Sequence, residues 1–171
     1  MKHNIIMISL FIPLIVGCGS SSNGDRLVSI SGTVSDRSFD SKSGAYDISG
    51  DSSLLLAVAD QADICGMASS GEVPSEFQWL SVSLCIETGS EVGDYQVEEG
   101  NSYVPCQGKI AWAEIRQVSG GTPSVVQAGS GTVSLKTFTQ NTISGNLQAN
   151  FLDGGNIIGE FEVKLCEDLD K

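Results

Sequence analysis

The sequence predicts an all-β fold: an antiparallel β-sandwich or flattened barrel of about nine short strands, stapled by two disulfides. Three observations predict it. Apolar and polar residues alternate along the second half of the chain, as in Phe161-Glu162-Val163-Lys164-Leu165. Turn residues recur near regular spacing, while helical periodicity is almost absent. Beyond Cys18 the cysteines form an even set, Cys65, Cys85, Cys106 and Cys166, with no CxxC spacing.

The elements follow in order. Leu27, Val28, Ile30 and Val34 carry β-favouring side chains, and Gly32 among them suggests a bulge or a close backbone approach. Asp36 to Gly44 reads as a polar loop. Ser53 to Val58 is a short apolar run, hence a buried strand. Asp60 is placed to cap a single helical turn carrying Ile64, Cys65 and Met67. Phe77 to Ile86 alternates, with Leu80, Val82, Leu84 and Ile86 facing one way and Trp79, Ser81, Ser83 and Cys85 the other. Gly93 to Val97 begins another strand, and Lys109 to Val118 a further one. Gly120-Gly121-Thr122-Pro123 reads as a turn.

The last strands are the clearest. Val133 and Leu135, then Leu147, Ala149 and Phe151, then Phe161, Val163 and Leu165, alternate with polar neighbours. Asp153-Gly154-Gly155-Asn156 joins the last two as a hairpin turn, since Gly and Asn tolerate positive φ. A short self-similarity also stands out. Ser31-Gly32-Thr33-Val34-Ser35 with Phe39 matches Ser130-Gly131-Thr132-Val133-Ser134 with Phe138, as if two strands needed the same geometry.

The N-terminus has the parts of an export signal: basic Lys2, an apolar run from Ile5 to Val16, then a small residue, Gly17. The run is too short to span a bilayer as a helix, which needs about 20 residues. Leu14-Ile15-Val16-Gly17-Cys18 and the Ser/Gly/Asn stretch after it resemble the lipobox signal of bacterial lipoproteins. The resemblance implies a signal peptide over 1–17, an acylated Cys18 opening a tether over 18–26, and a β domain over 27–171. It implies a membrane partner through the lipid. Several acyl chains hold stably where one holds only marginally, at ~0.8 kcal/mol per buried CH₂. Gly19, not Asp, follows the cysteine, which in such lipoproteins implies the outer membrane where the host has two. The globular part, through the pattern Ser130–Cys166, loosely resembles small uncharacterised bacterial lipoproteins, and brings no activity with it.

Composition narrows the function. Removing 1–17 leaves 154 residues, with eight Lys/Arg against 21 Asp/Glu, a formal charge of −13. Such a surface repels phosphate backbones, so no nucleic-acid partner is expected. The only histidine, His3, leaves with the signal, so neither a Ser-His-Asp site nor a His-ligated metal is available. No cofactor is expected. The exported cysteines suit disulfides, and of three possible pairings Cys65–Cys166 with Cys85–Cys106 is the one expected.

Candidate sites are few. Asp60, Asp63, Glu72 and Glu76 gather on one loop, and Glu87, Glu91, Asp94, Glu98 and Glu99 on another. They would serve an envelope glycan hydrolase only if two faced each other across a groove; otherwise they are a solvated surface. Asp153-Gly154-Gly155-Asn156 offers oxygen ligands for calcium but lacks EF-hand spacing. Trp79 and Trp112 are possible binding residues for a peptide or glycan, or else core. The expectation is a non-enzymatic envelope module whose partner is a protein or a glycan.

Overall fold

The computed structural model describes residues 27–169 apart from 50, 51, 73, 87, 88, 90, 101–105, 107 and 168. Ten strands and one helix follow in the order β1 (Val28–Val34), β2 (Arg37–Asp40), β3 (Ser43–Ser49), β4 (Ser53–Ala59), α1 (Ile64–Ser70), β5 (Phe77–Cys85), β6 (Gly93–Glu98), β7 (Ile110–Ser119), β8 (Thr122–Phe138), β9 (Thr142–Phe151) and β10 (Asn156–Leu165). All ten strands belong to one sheet. Eight of them close into a ring, β10-β3-β4-β5-β7-β6-β8-β9, so the barrel alternative holds. Most pairings are antiparallel. Two short parallel seams, Lys164 and Leu165 against Ala45 and Tyr46, and Gln96 and Val97 against Ile110 and Ala111, complete the circle.

The barrel interior is filled by side chains, as in other small barrels. Leu54, Leu56, Val58, Leu80, Val82, Leu84, Ile115, Val133, Ile143 and Val163 are fully buried in one cluster. Tyr46 and Tyr95 lie in it too, and each spends its hydroxyl on a loop carbonyl, Thr139 O at 2.9 Å and Glu91 O respectively. A buried tyrosine needs such a partner, and burial raises the Tyr46 pKa. Inside is apolar and much of the outside polar, the reverse of a transmembrane barrel.

The hairpin β1–β2 stands outside the ring, paired along the first half of β10, and sends Ile30, Val34 and Phe39 into the same core. Its turn, Ser35-Asp36, has φ of 51° and 58°, the signature of a two-residue hairpin turn. Gln117 Nε2 reaches Val34 O at 3.5 Å, and Arg37 meets Glu76 at 3.5 Å. Gln78, opposite Gln117 in the register, is buried with its Oε1 unpartnered. The loop expected over Asp36 to Gly44 is therefore corrected: it holds β2 and the start of β3. A four-residue strand with one apolar residue, Phe39, is too short to show alternation.

Two further expectations are corrected. The helix is capped by Asp63, not Asp60: its Oδ1 accepts from Gly66 N at 2.9 Å. Asp60 instead accepts from Gln78 N at 3.0 Å. The Gly120-Gly121 turn ends at Gly121, and β8 starts at Thr122 with Pro123 inside it. Proline is tolerated there because pairing with β9 begins only at Ala128, which leaves an edge.

The self-similarity has a physical cause. A Cβ on Gly32 would lie 1.9 Å from Asn156 O, and one on Gly131 2.1 Å from Gln148 O. Both glycines occupy inward positions where the strand coils tightly against its partner. Gly159 and Gly145 answer them from β10 and β9, at 1.9 Å from Ser29 O and 2.1 Å from Ser134 O.

Candidate functional site

The outer surface divides into a covered face and a bare one. The covered face is the outside of β3, β4, β5 and β7. Its outward residues Ala45, Ala57 and Ala59 are small, so α1 can sit close, and Phe77, Val118, Ile64 and Cys166 complete a second apolar cluster. A helix of seven residues is not stable alone. Here it is seated by Ser43, whose hydroxyl accepts from Ile64 N at 3.1 Å and donates to Gln61 O at 2.6 Å. It is bolted by the disulfide Cys65–Cys166, with Cα atoms 5.8 Å apart. The second disulfide, Cys85–Cys106 at 5.2 Å, ties down the connection between β6 and β7. Both bonds have the expected pairing.

The two tryptophans part company on this face. Trp79 is half-buried at the margin of the second cluster, stacked on Phe77 with centroids 4.8 Å apart and 5.7 Å from the Arg116 guanidinium. Arg116 in turn holds Glu114 at 2.5 Å. Trp112 is buried, opposite Ser83 in the register, with Gly100 close over its ring nitrogen. Trp79 lies opposite Arg116, four residues from Trp112 along β7, so about 13 Å separates the two rungs. They form no common platform. Beside α1 an open depression is lined by Asp63, Met67, Ser70, Glu72 and Pro74, and Asp63 there is already committed to the helix cap.

The carboxylates with shifted ionisation are all pushed one way. Glu76, Glu91 and Asp153 have lowered pKa values, chiefly through hydrogen bonds from Gly120 N, Gly89 N and the Ser35 side chain respectively. Each is an ionised acceptor that locks a turn. A glycosidase acid needs the opposite shift. Asp153 accepts from Ser35 N at 2.5 Å, Ser35 Oγ at 2.6 Å and Gly155 N at 2.9 Å, which accounts for the Asp153–Asn156 stretch as a hairpin turn and a latch. Among the described residues no group of three or more His, Cys, Asp or Glu could hold a metal ion. Glu87, like Cys18 and the tether, lies outside the described residues.

The bare face is the outside of β8, β9, β10 and β1. The register sets its side chains in rungs across the strands. One rung is Ser130, Asn150, Asn156 and Thr33; the next is Thr132, Gln148, Ile158 and Ser31. None of these eight is charged. Asn156 Nδ2 donates to Asn150 Oδ1 at 2.9 Å, and Asn150 Nδ2 to Ser130 Oγ at 3.3 Å, so three side chains are held in line across three strands. Ile158 stands 54% exposed in the middle. In the third rung, Ser134, Asn146, Glu160 and Ser29, Glu160 is paired with Lys136 at 3.8 Å, and Asn146 Oδ1 is shielded without a partner. Alternation alone marked these residues as a wet face. The signal it left unused was their lack of charge in so acidic a chain.

No family model, curated protein or solved structure matches this chain.

Proposed function

We propose that this protein is a lipid-anchored component of the bacterial cell envelope, a non-enzymatic binding or structural module held through acylated Cys18. The outer membrane is the proposed address where the host has two, since Gly19 follows the cysteine. The observation that carries the module reading is the filled barrel. Tyr46, Tyr95, Leu54 and Leu56 occupy the interior at 0% exposure, so a ligand is met on the outer surface. The perturbed carboxylates support the same reading, because they are engaged in holding turns and kept ionised. The anchor reading rests on the sequence Leu14 to Cys18. It is compatible with the fold, because Leu27, just before β1, is exposed and its carbonyl accepts from Glu162 N at 2.9 Å, where a tether can leave the barrel.

The test uses the full chain expressed with its signal, fed an alkyne fatty acid and fractionated. The native chain takes up label and sediments with membranes, and Cys18→Ala does neither. Equal labelling or equal sedimentation of the two would sink the anchor. Cross-linking of the native chain in intact cells then asks whether the barrel meets a protein or a glycan.

A further inference from the structure

We propose that the bare face of β8, β9, β10 and β1 is a docking surface for a neutral glycan chain. The inference rests on the reading of the barrel as a binding module but not on the lipid. The chemistry of the surface selects the partner. Its two rungs nearest the β9–β10 turn carry hydroxyls, carboxamides and Ile158 with no charge, in a mature chain with a formal charge of −13. The acidic side chains stand around these two rungs: Asp94 and Glu98 on β6 beside Ser134 and Ser130, Asp40 on β2 beside Ser31, and Glu160 on β10 in the adjoining rung, paired there with Lys136. Those carboxylates repel polyanions, and the two neutral rungs themselves give a polycation no counter-charge.

A sugar ring has an apolar C–H face edged by hydroxyls that both donate and accept. Ile158, more than half exposed, supplies the apolar contact. Gln148, Thr132, Ser31 and Asn156 surround it with donors and acceptors in register. In the neighbouring rung hydrogen bonds already fix Asn156, Asn150 and Ser130, so those three side chains lose less rotamer freedom on binding. Four strands at the usual spacing give a surface about 15 Å wide, and the rungs recur every ~7 Å along it, room for a short run of sugar rings.

The experiment uses the full chain in detergent. It is titrated with hexamers of β-1,4-linked N-acetylglucosamine, α-1,4-glucan and β-1,3-glucan, and with polygalacturonate as the anionic control. The expected result is binding to at least one neutral hexamer and none to polygalacturonate, with little change between about 0.05 and 0.5 M salt. Ile158→Lys and Asn150→Asp each weaken that binding by about tenfold or more, while Val125→Lys, an equally exposed position on another part of β8, leaves it unchanged. Circular dichroism and Tm of each variant report folding separately. Binding to none of the neutral hexamers overturns the proposal, as does binding that survives both substitutions in folded protein. Capture of a protein through this face, lost in Ile158→Lys, would overturn the glycan assignment while leaving the module reading intact. Failure of Cys18 to be acylated would remove the anchor and leave this result standing.

Discussion

The covered and bare faces surround the same core yet are built by different means. On the covered face the outward residues Ala45, Ala57, Ala59, Phe77 and Val118 are apolar or small, and a short helix bolted by a disulfide lies beside them. On the bare face the outward residues are polar, and the strands follow one another directly as the hairpins β8–β9 and β9–β10. The difference concerns chain connectivity. Consecutive hairpins close small loops and hold themselves through local ladders. The helix α1 has no ladder of its own and Cys106 lies outside the strands, so each staple ties a residue outside the strands to the barrel. The disulfides therefore lie where the chain leaves the ladders, and the strands β8, β9, β10 and β1 carry none within their bounds.

Breaking the staples should produce the largest effect. In the chain-entropy account, opening Cys65–Cys166, at a sequence separation of 101, costs about 4.7 kcal/mol, and opening Cys85–Cys106, at a separation of 21, about 3.3 kcal/mol. The paired Cys65→Ser and Cys166→Ser chain should therefore lose roughly 10–15 °C in Tm, and the paired Cys85→Ser and Cys106→Ser chain measurably less. Thermal unfolding followed at matched protein concentration checks the order. Equal losses would mean that seating of the segments, through Ser43 and the alanine bed, outweighs loop length.

The next effect belongs to the bare face and comes from backbone. Gly159 faces inward on β10, where a Cβ would lie 1.9 Å from Ser29 O and 2.6 Å from Ile30 Cα. Gly159→Ala should cost about 2–3 kcal/mol, as overpacking does. Ser31→Ala, one strand over and outward, should change stability by less than about 0.5 kcal/mol. Urea unfolding distinguishes them. A tolerated Gly159→Ala would show that β1 can separate from β10, and the hairpin β1–β2 would then be a loosely held addition to the ring.

The same contrast explains what the sequence disclosed. The hairpins of the bare face were legible because each strand has one wet and one dry side: Leu147, Ala149 and Phe151 point in, Gln148 and Asn150 out. Even the glycine pattern shared by β1 and β8 was visible, although its meaning needed the partners at Asn156 and Gln148. The covered face was harder to read. Serine and alanine at Ser43 and Ala45 signal little β-propensity on their own, and they make sense only under α1. The two-residue Ser35-Asp36 turn lacks the usual Asn-Gly signal, so β2 was hidden. The bare face itself was half legible. Its polarity followed from alternation, but the placing of Ile158 between Gln148 and Ser31 depends on register, which periodicity does not fix.

The smallest expected effect tests whether the two faces share their turn chemistry. Asp153 ties the β9–β10 turn to Ser35 on the bare side, and Glu76 ties the β7–β8 turn through Gly120 N at 2.8 Å and Ser119 Oγ at 3.3 Å on the covered side. The folded pKa of each lies below the ordinary carboxylate value. On acidification the unfolded chain takes up the proton first, so each contribution is complete above the ordinary range and fades as pH falls through the folded value. Both groups are exposed, and solvent screening limits the Asp153 contribution to no more than about 1 kcal/mol. Asp153→Asn and Glu76→Gln should each be slightly less stable than the native chain at pH 7, with the gap closing towards pH 3 in urea unfolding. A gap that closes for both means that carboxylate-locked turns are common to the whole barrel and that only the covering differs between faces. A gap that closes for Asp153→Asn alone would make the Ser35 latch a device of the bare face, where no helix or disulfide helps to hold the β1–β2 hairpin down.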